Sequence, residues 1–394
     1  MTSRIAIIEA RRTPIGKYLG GFRNCTAVAL GTAIVEATLD RAGVAPAKVD
    51  ELIFGHARQA GNGPNVARQI ACQSGIPHDV PSYTVNKACA SGIKAITLGA
   101  EAIMLGRASC VVAGGTENMS QIPYLLDRAR RGYRLGDAPL VDAMYRDGFN
   151  CPLAEMVMGG TAEVLAEEYG ISRGQQDEWA AMSQNRVEAA TERGVWGDEI
   201  VSVTASDDRG RPVEVTADEH PRRGVTSASI SQLPPVFKKD GSITAGNASG
   251  ITDAAAAVVL MPEERVKADG RTPLAWIRDY LSVGVDPKRM GLGPVPATRQ
   301  ILERNKLTLD DIPLIELNEA FAAQVLACQR ELGFDSDKVN VNGGAISLGH
   351  PIGATGARIV VTLLHEMRRR DAELALATLC VSGGLGMALL VERS

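Results

Sequence analysis

Aromatic side chains make up only 4% of the 394 residues, and His occurs 5 times. So few aromatics leave little for the stacking platforms on which nucleobases are held. Charge of one sign is also missing: 42 Lys and Arg oppose 46 Asp and Glu, for a net −4. That balance gives no electrostatic footprint for nucleic acid or an anionic membrane, and neither partner is expected. No apolar run approaches the roughly 20 residues of a membrane span; the longest, 254–261, stops at Pro262 and reads as a buried strand. The first nine residues enter a strand-like pattern without an apolar signal region, and the sequons at Asn24, Asn118 and Asn247 are expected to be chance matches. The expectation is a soluble, cytoplasmic protein. The 7 Cys contain no C-x-x-C pair and no partnering His spacing. Free thiols of a reducing compartment are therefore expected, with no metal. Neither a Walker A loop nor a G-x-G-x-x-G after the first strand is present, so nucleotide hydrolysis and dinucleotide redox chemistry lack their usual signals.

What is abundant is glycine, 41 residues, which points to tight turns and close backbone approaches. The length suggests two or three domains, at about 150 residues each. Apolar runs at 5–8, 51–54, 110–113, 314–317 and 374–379 read as buried strands. Small-residue helices at 27–42, 92–106 and 320–332 separate them, the pattern of an α/β fold with a largely parallel sheet. The halves resemble each other: Leu39-Asp40-Arg41 followed by 49–54 aligns with Leu302-Glu303-Arg304 followed by 312–317, and Val85-Asn86 recurs as Val341-Asn342. A duplicated domain is the expected source. Between the halves, 118–247 differs in texture, with charge clusters, Pro/Gly turns and helices near 160–169 and 173–193. It reads as an insertion, because 254–261 resumes the core-strand pattern.

Four positions stand at the ends of predicted strands, where open α/β sheets place their crevices. Cys89 lies in Val85-Asn86-Lys87-Ala88-Cys89-Ala90-Ser91-Gly92, ahead of a helix. The helix N-terminus there is expected to lower the thiol pKa, and its N–H groups to stabilise an oxyanion. His350 sits in the Gly-rich loop Gly349-His350-Pro351-Ile352-Gly353-Ala354-Thr355-Gly356, whose glycines imply a close backbone neighbour. Cys380 ends a strand before Val381-Ser382-Gly383-Gly384, and Asn318 precedes a helix it is placed to cap. Two Cys, a His and an Asn converging at one crevice are compatible with a metal site or with covalent acyl transfer. The absence of local ligand spacing favours acyl transfer.

These residues resemble the thiolase family, in particular its acetyl-CoA acetyltransferases. The resemblance is carried by Arg12-Thr13-Pro14-Ile15-Gly16, Asn86-Lys87-Ala88-Cys89-Ala90-Ser91-Gly92, Asn247-Ala248-Ser249-Gly250, Asn318-Glu319-Ala320-Phe321, Gly349-His350-Pro351-Ile352-Gly353 and Cys380-x-x-Gly383-Gly384, in order from about residue 5 to 392. It implies duplicated βαβαβαββ halves in a layered α-β-α-β-α core with an inserted loop domain. The expected boundaries are 1–117 with 251–270, then 118–250 for coenzyme A binding and tetramer contacts, then 271–394. It further implies a ping-pong Claisen condensation of two acetyl-CoA to acetoacetyl-CoA, or the reverse thiolysis of a 3-ketoacyl-CoA. Cys89 would be the acylated nucleophile, His350 its activator, and Cys380 the acid/base at the α-carbon. Asn318 would hold a water that, with His350, receives the enolate oxygen; the N–H groups of Cys89 and Ser382 would form a second oxyanion hole. Arg222, Ser229, Ala245, Ser249, Met158, Phe237 and Phe321 would contact coenzyme A, a substrate rather than a tightly bound cofactor. A homotetramer built as a dimer of dimers is implied as well.

Four features depart from the family pattern. Ser382 replaces a usual Gly, and its β-carbon is expected to tilt the N–H that binds the oxyanion. Val157 stands where many short-chain members have His, which points to tolerance of longer or branched chains. Gln232-Leu233-Pro234-Pro235 removes two charges near the cofactor loop, and Gln184 replaces the Tyr of potassium-activated members, so no potassium dependence is expected. A ketoacyl synthase would want His or Glu where Cys380 stands, and a non-catalytic acyl-CoA binder would have no use for a second thiol.

Overall fold

The computed structural model describes residues 4–393. Its main-sheet strands are β1 (Ile5–Arg12), β2 (Glu51–Gly55), β3 (Ser82–Val85), β4 (Val111–Asn118), β5 (Thr252–Pro262), β6 (Ala275–Gly284), β7 (Leu314–Leu317), β8 (Leu374–Val381) and β9 (Leu385–Glu392). The principal helices are α1 (Ala27–Ala42), α2 (Val66–Gln73), α3 (Ser91–Met104), α4 (Met158–Glu168), α5 (Arg173–Glu192), α6 (Pro294–Asn305), α7 (Ala322–Leu332) and α8 (Ile352–Arg369).

The strand order is β7-β8-β9-β6-β1-β5-β4-β2-β3, with Gly16–Lys17 added beside β5. Each half repeats one plan. β1, β5, β4, β2 and β3 run outward from the centre on one side, and β6, β9, β8 and β7 do so on the other. The counterpart of β3 is reduced to a parallel bridge between Ile315 and Val339. The sheet is mixed rather than largely parallel: only β2 with β3 and β4, and β7 with β8, are parallel. The three-residue turn 382–384 is too short for a crossover, so β8 and β9 pair antiparallel. The halves join edge to edge through Ile5–Ile7 of β1 and Ala275–Ile277 of β6.

Alternation along the strands sorts the core into layers. In β5, Ala256, Val258 and Leu260 face an inner cluster that also holds α3, α8 and the inward residues of β8 and β9. Ala255, Ala257, Val259 and Met261 face outward onto α1 and α2. On the far side, Leu376, Ala388 and Leu390 pack against α6 and α7. The layers run α1/α2, sheet, α3/α8, sheet, α6/α7, the α-β-α-β-α order implied by the resemblance. A strand covered on both faces reads as one continuous apolar run, hence the texture of 254–261.

Residues 119–251 leave the sheet between β4 and β5 and carry α4, α5 and short hairpins. Arg12 ties them back to β1. It is fully buried, 2.6 Å from Glu199 and 2.7 Å from Asp218, under the Trp196 ring.

Candidate active site

Helices α3 and α8 bring the two chemical ends together. Their backbones nearly touch: a Cβ on Gly92 would stand 2.6 Å from the Ala357 amide nitrogen, and one on Gly356 would strike the backbone of Ile93. Gly115 of β4 likewise meets the Gly353 carbonyl. Of the glycines in 349–356, Gly356 answers to α3, whereas Gly353 meets Glu117, Thr116 and Ala57, and Gly349 meets Thr252. Both N-termini open on one cavity of about 630 Å3, whose lining includes Cys89, His350, Cys380 and Ser382.

The Cys89 turn is held under strain. Ala88 has φ +44°, a left-handed conformation unfavourable for a residue with a β-carbon. It is held by Asn86, whose Oδ1 accepts from the Ala88 N–H at 3.0 Å, and by Ser91, whose Oγ accepts from the Lys87 N–H at 2.8 Å. The Cys89 sulfur accepts from the N–H groups of Ser382 and of Cys89 itself, and the Arg58 cation favours its thiolate. Burial outweighs these and raises the thiol above its ordinary value. The pKa lowering expected from the helix N-terminus is therefore overturned. Ser382 lies outside the left-handed residues, and its N–H reaches the Cys89 sulfur.

His350 is buried, and its surroundings set its tautomer. Thr355 Oγ1 donates to the Pro351 carbonyl at 3.0 Å and so must accept from His350 Nδ1 at 2.6 Å. The proton sits on Nδ1, leaving Nε2 as the free acceptor. Burial, with Arg358 and Arg58 nearby, pushes the imidazole pKa down to about 3, so it stays neutral. Cys380 is only 1% exposed, and burial together with the nearby Cys89 sulfur pushes its thiol well up. Two neutral thiols and a neutral imidazole can pass single protons without separating charge in a poorly solvated site.

Asn318 does not line the cavity and does not cap α7, whose N-cap is Phe321. It is fully buried two residues before the cavity-lining Ala320, and neither Oδ1 nor Nδ2 has a partner. Buried amides of this kind commonly serve a bound water or ligand.

Arg222, Ala245, Ser249, Met158, Phe237 and Phe321 all line the same cavity. Phe237 and Phe321 meet edge to face with centroids 6.1 Å apart. The Ser249 N–H donates to the Ala320 carbonyl at 3.0 Å, and the Ala322 N–H to the Asn247 carbonyl at 2.9 Å, so two sequence motifs form one wall. Ser229 stands apart: it is exposed, absent from the lining, and its hydroxyl donates to the Thr226 carbonyl in a helix cap. Gln184 accepts from the Arg222 N–H and from the Ser347 hydroxyl, fixing the loop at the cavity mouth.

Several site residues escaped the sequence reading. Glu117, fully buried at the end of β4, accepts from the N–H groups of Ala57, Arg58 and Gly353 and pairs with His56 at 3.1 Å. It clamps the first half to the start of α8. Glu319 similarly gathers Trp179, Ser183, Asn340 and the Ile346 N–H. Arg58 lines the cavity beside Cys89. A lone carboxylate or guanidinium carries no motif, and only its partners reveal it. Among the described residues, no group of three or more His, Cys, Asp or Glu side chains is arranged to hold a metal ion. No helix among them is long and apolar enough to cross a membrane.

A duplicated scaffold that sets two thiols and one imidazole on a single cavity defines a covalent acyl-transfer enzyme. Models of the thiolase N-terminal and C-terminal domains match residues 5–264 and 271–393. The chain is 52% identical over 389 residues, 99% of both chains, to an acetyl-CoA acetyltransferase of Cupriavidus necator. It superimposes with a TM-score of 0.97 and 46% identity on the Bacillus anthracis acetyl-CoA acetyltransferase, covering 100% and 99% of the two chains. A human mitochondrial 3-ketoacyl-CoA thiolase in complex with CoA gives 0.95 and 40%, covering 100% and 98%. The chain belongs to the thiolase family and is an acyltransferase.

Proposed function

We propose that the protein transfers acyl groups between coenzyme A thioesters, condensing two acetyl-CoA to acetoacetyl-CoA or cleaving 3-ketoacyl-CoA with free coenzyme A. The observation that carries this reading is the shared cavity of Cys89, His350 and Cys380. In the synthetic direction, His350 Nε2 takes the Cys89 proton as the sulfur attacks the thioester carbonyl. The N–H groups of Cys89 and Ser382, which serve the sulfur, would turn to the thioester oxygen as it develops charge; their closeness to the sulfur supports this role. The thiol of coenzyme A leaves with a proton, and Cys89 holds the acetyl group. Cys380, its own proton having passed to the departing coenzyme A sulfur, removes a proton from the α-carbon of a second acetyl-CoA; a water on Asn318, with His350, receives the enolate oxygen. The α-carbon then attacks the Cys89 thioester, the carbon–sulfur bond breaks, and the sulfur recovers its proton. Two thiols are required because one is occupied by the acyl group while the other moves a proton.

Coenzyme A enters along the Phe237–Phe321 side, with Met158, Ala245 and Ser249 along its arm and Arg222 at the mouth. Arg222 suits adenine and phosphate by its planar charged fork. Ser229, outside the lining, has no part in this reading. We assign residues 118–250 to coenzyme A binding and subunit contact, the first half to 1–117 with 251–270 and the second half to 271–394. The protein acts in the cytoplasm as a tetramer, a dimer of dimers.

Single-turnover labelling with radioactive acetyl-CoA tests the roles. Cys89→Ala is expected to take up no label. Cys380→Ala should still be acetylated while α-proton exchange and condensation fall by about 10²–10⁴, the usual loss for a positioned base. Full labelling of the Cys89 variant refutes the nucleophile; normal exchange in the Cys380 variant places the base elsewhere.

A further inference from the structure

The cavity contains a buried cation to which the acyl-transfer chemistry assigns no substrate contact. Arg58 follows β2 and is more than nine-tenths buried, yet its side chain faces the cavity beside Cys89. Of the two more deeply buried arginines, Arg12 pairs closely with Glu199 and Asp218, and Arg358 has one contact with Glu316 at 3.4 Å and leaves Nε and Nη2 without partners. Among the described residues Arg58 has no carboxylate within 4.0 Å; Nη1 reaches only the Asp147 carbonyl at 3.2 Å, and Nε has no partner. Glu117 lies near, but three N–H groups and His56 already engage it. The loop makes room for the guanidinium: a Cβ on Gly148 would stand 2.7 Å from Arg58 Nε. An enclosed guanidinium without an anion is costly, and a carboxylate would satisfy its free donors in bidentate fashion.

The surroundings say which part of a substrate would bring that anion. Met119, Phe149 and Ile352 give this end an apolar wall continuous with Cys89. In that reading the phosphates of coenzyme A belong at Arg222, which is exposed at the mouth, whereas Arg58 is buried beside Cys89. Resting on the acyl-transfer reading above, we infer that the protein accepts 3-oxoacyl-CoA substrates whose acyl chain ends in a carboxylate, with Arg58 as the specificity-determining residue. In thiolysis, Cys89 attacks the 3-oxo carbon and the C2–C3 bond breaks. The electron pair stays on C2, which takes a proton from Cys380 and leaves as acetyl-CoA. The ω-carboxyacyl group remains on Cys89 with its carboxylate on Arg58, until the thiol of coenzyme A displaces it and returns a proton to the enzyme.

Two six-carbon probes separate the possibilities: 3-oxoadipyl-CoA, with a terminal carboxylate, and 3-oxohexanoyl-CoA, without one. The wild-type protein is expected to favour the first in kcat/KM. In Arg58→Met the ratio of the two should fall by about tenfold or more, with Arg58→Lys between them. Any effect of Arg58 on the Cys89 thiolate acts on both probes and cancels in the ratio. Inhibition of the wild-type protein supplies an arm that needs no variant: glutaryl-CoA should compete more tightly than pentanoyl-CoA. Cleavage of 3-oxohexanoyl-CoA with rejection of 3-oxoadipyl-CoA overturns this inference and leaves the general function standing. An unchanged ratio in Arg58→Met also overturns it. Failure to cleave either probe or acetoacetyl-CoA overturns both readings.

Discussion

At the scale of single residues, the proposed reacting groups, two thiols and an imidazole, rest neutral on one cavity. Burial raises both thiols, Cys89 and Cys380, and depresses His350 to about 3. The resting pair is therefore thiol and imidazole, in contrast to a preformed thiolate and imidazolium. A depressed His remains neutral in the folded protein from its ordinary 6.5 down to about 3, while the unfolded chain takes up a proton across that window. Its contribution to stability is thus lost as the pH falls below 6.5. Alkylation of Cys89 by iodoacetamide should climb about tenfold per pH unit through neutrality. A plateau in mildly acidic solution would reveal a thiolate instead. Thr355 acts through His350: Thr355→Val leaves the Nδ1 proton without an acceptor, a penalty of about 1–3 kcal/mol. The kcat/KM should fall about tenfold to a hundredfold, and Thr355→Ser should recover most of it. Equal losses in the two variants would mean that the methyl group's packing, and not the hydroxyl, is what matters.

At the scale of elements, the crossing of α3 and α8 sets the distance between nucleophile and imidazole. Gly92, Gly115 and Gly356 exist at that crossing because backbone lies where a side chain would go. Gly92→Val is expected to cost about 1–3 kcal/mol in stability through overpacking. Acylation should suffer beyond the stability loss, since the helices can separate only by moving Cys89 from His350. Wild-type acylation in a destabilised but folded Gly92→Val protein would show that the crossing does not control the site. Much of this level was legible beforehand: the Gly-rich loops announced close approaches, and the apolar run 254–261 announced a doubly covered strand. The mixed sheet was not, because strand direction depends on connections whose lengths are obscured by the 119–251 insertion and by the short 382–384 turn.

At the scale of the whole molecule, the inserted segment exposes several large apolar side chains. Leu135 is 99% exposed, and Tyr124, Leu126 and Leu140 are exposed nearby on the same segment. Such side chains are the candidates for the subunit contact proposed above. Light scattering should give the mass of four chains, and Leu135→Asp with Leu140→Asp should reduce it to two while leaving each folded. A monomer in the wild-type protein, or an unchanged tetramer in the double variant, contradicts the assignment of this loop.

The sequence by itself determined the strand and helix texture and the duplication, and singled out the positions proposed to react, because periodicity, glycine spacing and short motifs are local properties. It could not determine the protonation states. The helix N-terminus ahead of Gly92 argued for a lowered Cys89 pKa, whereas enclosure by both halves raises it. Nor could it find Arg58, Glu117 or Thr355, whose meaning lies in what surrounds them. Desolvation and charge balance are sums over neighbours distant in the chain, and only the folded arrangement fixes those sums.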